Sequence, residues 1–255
     1  MSLQDSAPPL DILAIAPHPD DAELFCGGLL AKMAQLGYRV GILDLTRGEK
    51  ASRGTADLRA QEASRAAQVL GVAWRGNLGL PDCGLLGDDP TQTLALVEQL
   101  RLLRPELVLA PWQQERHPDH RAAAQLADRA CFLAGLRNFP QPDQPLHRIR
   151  QLLFYPMRVE ARPSFVVDIE PFAELKRQAI ACHASQVGQP QQGAVPLVAA
   201  SLALPALAHR DGYYGAQIGS AAGEPYISPA ALSVADPLAL FRGRPGVPHF
   251  FPEGP

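Results

Sequence analysis

Over its first 135 residues the chain alternates short, β-rich apolar runs with longer stretches patterned for helix, and few architectures accept that alternation. "DILAIAP", "RVGILDLT", "VAWRGNLGL" and "ELVLAP" read as strands. "AELFCGGLLAKMAQLG", "TADLRAQEASRAAQVLG", "TQTLALVEQLRLLRP" and "PDHRAAAQLADRACFLAG" read as helices, with Gly37 and Gly71 closing two of them and Pro105 stopping a third. Repeated strand–helix units require crossover connections and a mostly parallel sheet. The expected fold class is therefore α/β: a Rossmann-like, mostly parallel sheet flanked by helices. Past residue 140 "QLLFYP" and "SFVVDI" fit strands and "PFAELKRQAIACHAS" a helix. Residues 187–255 form a Pro/Gly/Ala-rich C-terminal extension whose elements the pattern does not place, a lobe over the site or an oligomer contact being the two expectations. A single domain over 1–255, with residues 1–135 as its βαβ core, suits a chain of this length.

Composition narrows the function classes. A hydrophobic fraction of 47% is that of a folded chain, and a net charge of -3 lacks the positive clustering that nucleic acid or an anionic membrane surface requires. No run approaches the roughly 18–20 apolar residues of a membrane span, and "MSLQDSAPPL" has no signal-peptide pattern, so a cytoplasmic location is expected. Four scattered cysteines (Cys26, Cys83, Cys131, Cys182) without a CxxC pair suggest neither a disulfide framework nor a thiolate zinc site.

The chemistry concentrates in two strings. "APHPDD" carries His18, Asp20 and Asp21 where the first strand ends and its helix begins; "ERHPDH" carries His117, Asp119 and His120 after the strand "ELVLAPW". A single aspartate at such a place reads as a helix cap. Two strand-end loops of one parallel sheet, however, face a common crevice beyond the carboxyl ends of the strands. Two histidines and one carboxylate, with a position left for water, make a catalytic zinc set, although the same donors suit iron, cobalt or nickel. Spacing alone leaves open which aspartate would bind the metal.

"HPDDAE" and "HPDH", with "GYRVGILDLT" and "GTADLRAQEASRAAQVLGV" between them, resemble the PIG-L/LmbE-like family of zinc-dependent de-N-acetylases. "NLGLPDCGL", "LVLAPWQQERHPDH", "AGLRNFP", "HRIRQLLFY" and "FVVDI" are most similar to the branch that deacetylates N-acetylglucosaminyl-malate in bacillithiol biosynthesis, over about Asp11 to Gln186. The resemblance implies one Zn²⁺ held by His18, Asp21 and His120, with Asp20 as general base and a protonated His117 supporting the tetrahedral intermediate. It implies that Asp119 orients a ligand imidazole. Arg59 and Arg116 would lie near the malate carboxylates, where a guanidinium binds bidentately. Arg210 and Tyr213 would help shape the pocket, Tyr213 standing in for a C-terminal tyrosine of relatives that has no clear counterpart here; Ser201 falls near its expected place. The implied partner is a small-molecule amino-sugar conjugate, and the implied assembly a homo-oligomer, possibly a hexamer. Two other readings stand beside this one: a deacetylase of another N-acetylglucosamine conjugate (a mycothiol precursor, a chitooligosaccharide or an antibiotic glycoside), and a non-catalytic sugar- or nucleotide-binding module. No GxGxxG follows the first strand, so dinucleotide binding lacks its fingerprint. His147, His183, His209 and His249 read as isolated, Trp74 as packing at a strand edge, and "CGG" as a close approach of helix to sheet.

Overall fold

The computed structural model describes residues 9–139, 145–187, 200–236 and 238; His249 and other parts of the C-terminal extension lie outside them. β1 (Ile12–Ala16), β2 (Val40–Thr46), β3 (Trp74–Leu80), β4 (Leu107–Pro111) and β5 (Gln151–Tyr155) form one sheet in the order β3-β2-β1-β4-β5, and every pair is parallel. The expected α/β class is what the chain adopts, and the sheet runs beyond residue 135 because β5 completes it. β1, β2 and the inner part of β4 are buried throughout, as strands covered on both faces must be.

The connecting helices are α1 (Asp21–Gln35), α2 (Ala56–Leu70), α3 (Pro90–Leu103) and α4 (Pro118–Ala134). Their ends follow local chemistry. Thr55 and Asp89 accept hydrogen bonds from the Leu58 and Gln92 N–H groups, and Gly71 ends α2 in the left-handed conformation (φ 72°) that glycine adopts freely. One face of the sheet packs Leu13, Ile15, Leu43 and Val108 against α3 and α4. The other packs Ile12, Ala14, Ile42 and Leu109 beneath α1, with Leu70 of α2 and Ile180 in the same cluster. The chain order reverses between β1 and β4, which pair directly (Ile12 with Leu107, Ala14 with Leu109). Their C-terminal loops therefore open side by side.

After β5 the chain adds β6 (Phe165–Asp168), a 3-10 turn (Glu170–Phe172), α5 (Ala173–Ala181), α6 (Ala184–Val187), α7 (Ala200–Ala216) and β7 (Gly223–Tyr226), with β6 and β7 paired antiparallel. The single helix expected over "PFAELKRQAIACHAS" is thus three short pieces. The unplaced extension contributes a helix and a strand; α7 carries Pro205 inside it, which breaks the helical pattern in the sequence.

A buried ion cluster fastens this added layer to α1. Lys176 Nζ lies 2.6 Å from Asp211 Oδ2 and 2.9 Å from Glu224 Oε1. The Glu224 carboxylate also accepts the N–H groups of Gly28 and Leu29 at 2.8 Å, and the Tyr226 hydroxyl at 2.9 Å. The glycine pair serves this docking rather than a close approach to the sheet: a Cβ on Gly28 would stand 2.7 Å from the Ile169 side chain, and one on Gly27 3.3 Å from Lys176 Cγ. A second cluster joins α1 to the sheet. Arg75 binds Asp44 with Nε and Nη2 at 2.9 and 3.0 Å and reaches Glu23 with Nη1. His183 Nε2 lies 3.2 Å from Glu23 Oε1, so this histidine is fully buried beside a carboxylate and not isolated as its sequence context suggested.

Breaking a buried ion cluster leaves its remaining charges uncompensated, which costs about 3–5 kcal/mol. Glu224→Ala should destabilise the fold by that amount, read from the shifted urea midpoint, without changing the slope of the transition. Loss of less than about 1 kcal/mol would mean that Asp211 alone satisfies Lys176.

Candidate metal centre

The loop Pro17–Asp20 leaves β1, and the loop ending at His117 leaves the paired strand β4, so both histidine strings arrive at one point. His18 Nδ1 is 3.2 Å from Asp21 Oδ2, and His120 Nε2 is 3.4 Å from the same oxygen. The three donor atoms lie within 4.8 Å of one another, and all three side chains are mostly buried. The ring centroids of His18, His117 and His120 are 4.8 to 5.5 Å apart. Two imidazole nitrogens and one carboxylate oxygen, gathered this closely, are a set that could hold a divalent cation. His120 Nδ1 is buried with no hydrogen-bond partner, so its Nε2 is the nitrogen directed into the set.

The opposite edge of His18 faces two carboxylates. Nε2 faces Asp82 Oδ1 at 3.2 Å and Asp119 Oδ2 at 3.3 Å, so a neutral ring with its proton on Nε2 would leave the Nδ1 lone pair for a cation. Both carboxylates are held from behind. The Lys50 N–H reaches Asp82 Oδ2 at 2.7 Å, and the Cys83 N–H reaches Asp119 Oδ2 at 2.7 Å. Asp82 sits in a turn closed by the Gly84 N–H to the Pro81 carbonyl, with Cys83 at φ 56°. The His18 hydrogen bond and the Lys50 N–H hold the Asp82 carboxyl well below the usual carboxylate range against its partial burial. For His18 itself burial disfavours the charged ring, but the three surrounding carboxylates outweigh it and raise its pKa well above the ordinary value.

The two adjacent aspartates occupy different surroundings. Burial would raise Asp21, but His120 and His18 outweigh it and hold its carboxyl well below the ordinary value. Asp20 is raised, because burial and the neighbouring Asp21 outweigh the charge of Arg59. Although Asp20 stands at the N-cap of α1, its side chain makes no capping hydrogen bond. It instead lines a cleft of about 900 Å³ bounded by Phe25, Met157, Leu207 and Tyr213. The two carboxyls are thus pulled in opposite directions by their surroundings.

His117 is the N-cap of α4: its Nδ1 accepts the Asp119 N–H at 3.2 Å. Burial and the two neighbouring histidines lower its pKa. With Nδ1 accepting that bond, the proton of a neutral ring stands on Nε2.

The substrate-side residues scatter. Arg59 is only 3% exposed, and its Nη2 lies 3.2 Å from Asp20 Oδ1. Arg116 is exposed on the loop before His117 and is not among the cleft-lining residues. Arg210 and Tyr213 do line the cleft; Arg210 donates to the Pro156 carbonyl and rests against the rings of Phe25 and Tyr214. Ser201 lies in α7, and its side chain is outside the described residues. Asp82 was missed as a site residue. The string "LPDCGL" offered one signal, a carboxylate in a Pro/Gly turn at the end of β3, but nothing local to connect it with His18.

Carboxylates that orient a metal-binding imidazole are worth about 10- to 100-fold in metal affinity. Asp82→Ala should weaken divalent-metal binding by that factor in a competitive chelator titration, while Arg116→Ala should leave it unchanged. An unaltered affinity in the Asp82 variant would show that Asp119 alone orients His18.

Residues 13–131 match the family model described as PIG-L: GlcNAc-PI de-N-acetylase. A diacetylchitobiose deacetylase of Thermococcus kodakarensis is 34% identical over 190 residues, covering 69% of this chain and 69% of that protein. The crystal structure of the conserved protein TT1542 from Thermus thermophilus superposes with a TM-score of 0.80 at 43% identity, covering 89% of this chain and 98% of that one. N,N'-diacetylchitobiose deacetylase from Pyrococcus horikoshii superposes with a TM-score of 0.74 at 29% identity, covering 84% of this chain and 82% of that one.

Proposed function

The chain belongs to the PIG-L (GlcNAc-PI de-N-acetylase) family, and on that footing we propose that it is a zinc-dependent amide hydrolase that removes the N-acetyl group of an N-acetylglucosamine conjugate, N-acetylglucosaminyl-malate being the substrate we assign. The observation that carries this reading is the meeting of His18 Nδ1, Asp21 Oδ2 and His120 Nε2 at one point, with the Asp20 carboxylate beside it on the cleft wall. His18, Asp21 and His120 would hold the ion, which when bound supplies a Lewis acid for the attacking water and the amide carbonyl.

The protein's own groups divide the remaining work. Asp20 takes the proton of the attacking water and is suited to this by burial that raises its proton affinity. The His117 Nε2–H is a neutral donor for the oxygen that gains charge in the tetrahedral intermediate. The proton held on Asp20 then passes to the sugar nitrogen as the C–N bond breaks, so that one amide and one water become acetate and a free amine. Asp82 and Asp119 keep His18 in the tautomer that ligation needs.

The malate assignment is supported by the cleft's charge. Arg53, Arg158 and Arg210 line it, against Asp20 and Glu160, and guanidinium groups suit paired carboxylates. The deacetylase of T. kodakarensis, named for diacetylchitobiose, gives the second reading, an uncharged N-acetylglucosamine oligomer. Acetate release from N-acetylglucosaminyl-malate, N-acetylglucosamine and diacetylchitobiose separates the two. A preference for the neutral sugars would sink the malate assignment and keep the reaction.

Two outcomes test the mechanism. Treatment with a strong chelator should abolish acetate release, and added Zn²⁺ should restore it. Asp20→Ala should keep its metal, measured by elemental analysis, and lose about 10²- to 10⁴-fold in kcat, the usual range for a general base. A variant that lost the metal and recovered full turnover on reloading would reverse the roles of the two aspartates.

A further inference from the structure

Glu115 opens the string "ERHPDH", yet it is not among the residues gathered at the metal centre. Its side chain is buried, and Oε1 accepts the N–H groups of Met157 and Arg158 at 2.9 Å and of Val159 at 3.5 Å. These three residues follow β5 in irregular backbone, where neither a helix nor a strand ladder supplies partners for the N–H groups. Successive N–H groups turned toward one point make a site for an anion, and here the protein fills it with its own carboxylate. Met157, Arg158, Val159 and Glu160 line the 900 Å³ cleft that Asp20 also lines, whereas Glu115 does not. The carboxylate therefore stands behind the cleft wall and joins it to the loop that leaves β4. α7 holds the same segment at its two ends: Arg210 donates to the Pro156 carbonyl, and the Tyr214 hydroxyl reaches the Ala161 carbonyl at 3.5 Å. The metal loop has anchors of its own. Arg121 Nη1 donates to the carbonyls of Glu115 and Arg116 at 2.7 and 2.9 Å, and His117 caps α4.

We propose that Glu115 is a positioning residue for substrate: its carboxylate holds Met157–Val159 in place as a wall of the cleft, and it acts on substrate binding through Arg158, the cationic side chain of that segment, rather than on the chemical step. An ionised acceptor suits the task, because hydrogen bonds to a charged group are about twice as strong as neutral ones and one oxygen serves three donors. Without it the segment would be held by α7 alone, at Pro156 and Ala161, with the N–H groups between them unpaired. A wall that occupies its binding position for only about a tenth of the time raises the apparent dissociation constant about tenfold, while the substrate that does bind meets an unaltered metal centre.

The inference rests on the deacetylase reading, and a mutant cycle tells the two apart. Glu115→Ala, Arg158→Ala and the double variant are assayed, metal-loaded, for acetate release from N-acetylglucosaminyl-malate, and the metal content of each is measured. Glu115→Ala should raise KM about tenfold or more, with kcat within about twofold and metal retained. In the Arg158→Ala background the same change should raise KM by less than it does alone, because the group it positions is gone. Should the alanine variant fold poorly, Glu115→Asp keeps the charge but draws the carboxylate back by one methylene, and it should raise KM in the same way. An unchanged KM, or KM effects of the two substitutions that multiply in full, would overturn the proposal. A fall confined to kcat, or loss of the metal, would also overturn it and assign the carboxylate to holding His117 and its loop. No acetate release by the wild-type enzyme from any N-acetylglucosamine conjugate would instead overturn the activity on which the proposal stands.

Discussion

The direct parallel pairing of β1 with β4 is the constraint from which the site follows. Strands adjacent in a parallel sheet lie about 4.8 Å apart, so loops leaving their C-terminal ends cannot avoid one another. The chain order reverses at this pair, which prevents a helix from filling the gap between the two loops. His18 and His120 are remote in sequence and meet because Ile12 pairs with Leu107. A change that slipped this register would separate the donors before it touched any of them.

Around that point the protein concentrates much of its buried charge. Asp82 and Asp119 serve His18, Arg59 pairs with Asp20, and Arg75 joins Asp44 to Glu23 in the first turn of α1. Buried charges are unfavourable unless paired, and each here has a partner on a different element: β3 and its loop, α2, or α4. The pairs therefore cross-link the elements that surround the loops. The Lys176–Asp211–Glu224 cluster does the same for the C-terminal layer, tying α5, α7 and β7 to the middle of α1, whose first turn carries Asp21. Positions of the His18, Asp21 and His120 donor atoms are thus set by several elements at once, as a preorganised site requires.

How much of this was legible in the sequence depends on the range of the interaction that decides each feature. The alternation of apolar runs and helical patterns is local, and the first eight elements lie where that alternation puts them. The two histidine–aspartate strings were legible for the same reason, since "HPDD" and "HPDH" each open a helix after a strand. What local pattern could not supply is pairing across the fold. His183 looked isolated because its partner, Glu23, is far away along the chain, and Asp82 looked like a turn residue because its partner is the His18 ring. Arg59 was legible as a functional arginine, but the sequence did not say that its guanidinium turns inward to Asp20. In the C-terminal extension Pro205 and the many small residues blur the helical period, so α7 left little local trace.

The sequence also could not separate Asp20 from Asp21, and the start of α1 places them in different surroundings. Asp20 is the N-cap, with backbone outside the helical region, whereas Asp21 is the first helical residue, so the two adjacent side chains leave the chain in different directions. Asp21 turns toward the imidazoles, and its Oδ2 also accepts the His18 N–H at 3.1 Å, which closes a compact loop around the would-be ligand. Asp20 is left on the outer side, with the cleft in front of it and Arg59 behind. Exchanging the two roles would need a rotation of the first turn of α1. That turn is not free to rotate: Glu23, two residues on, is held by Arg75 and His183, and the N–H groups of Gly28 and Leu29 are held by Glu224. The proposed assignment of ligand and base therefore rests on how α1 is clamped along its length, and the buried ion clusters that look purely structural are part of what keeps the two carboxylates in different surroundings.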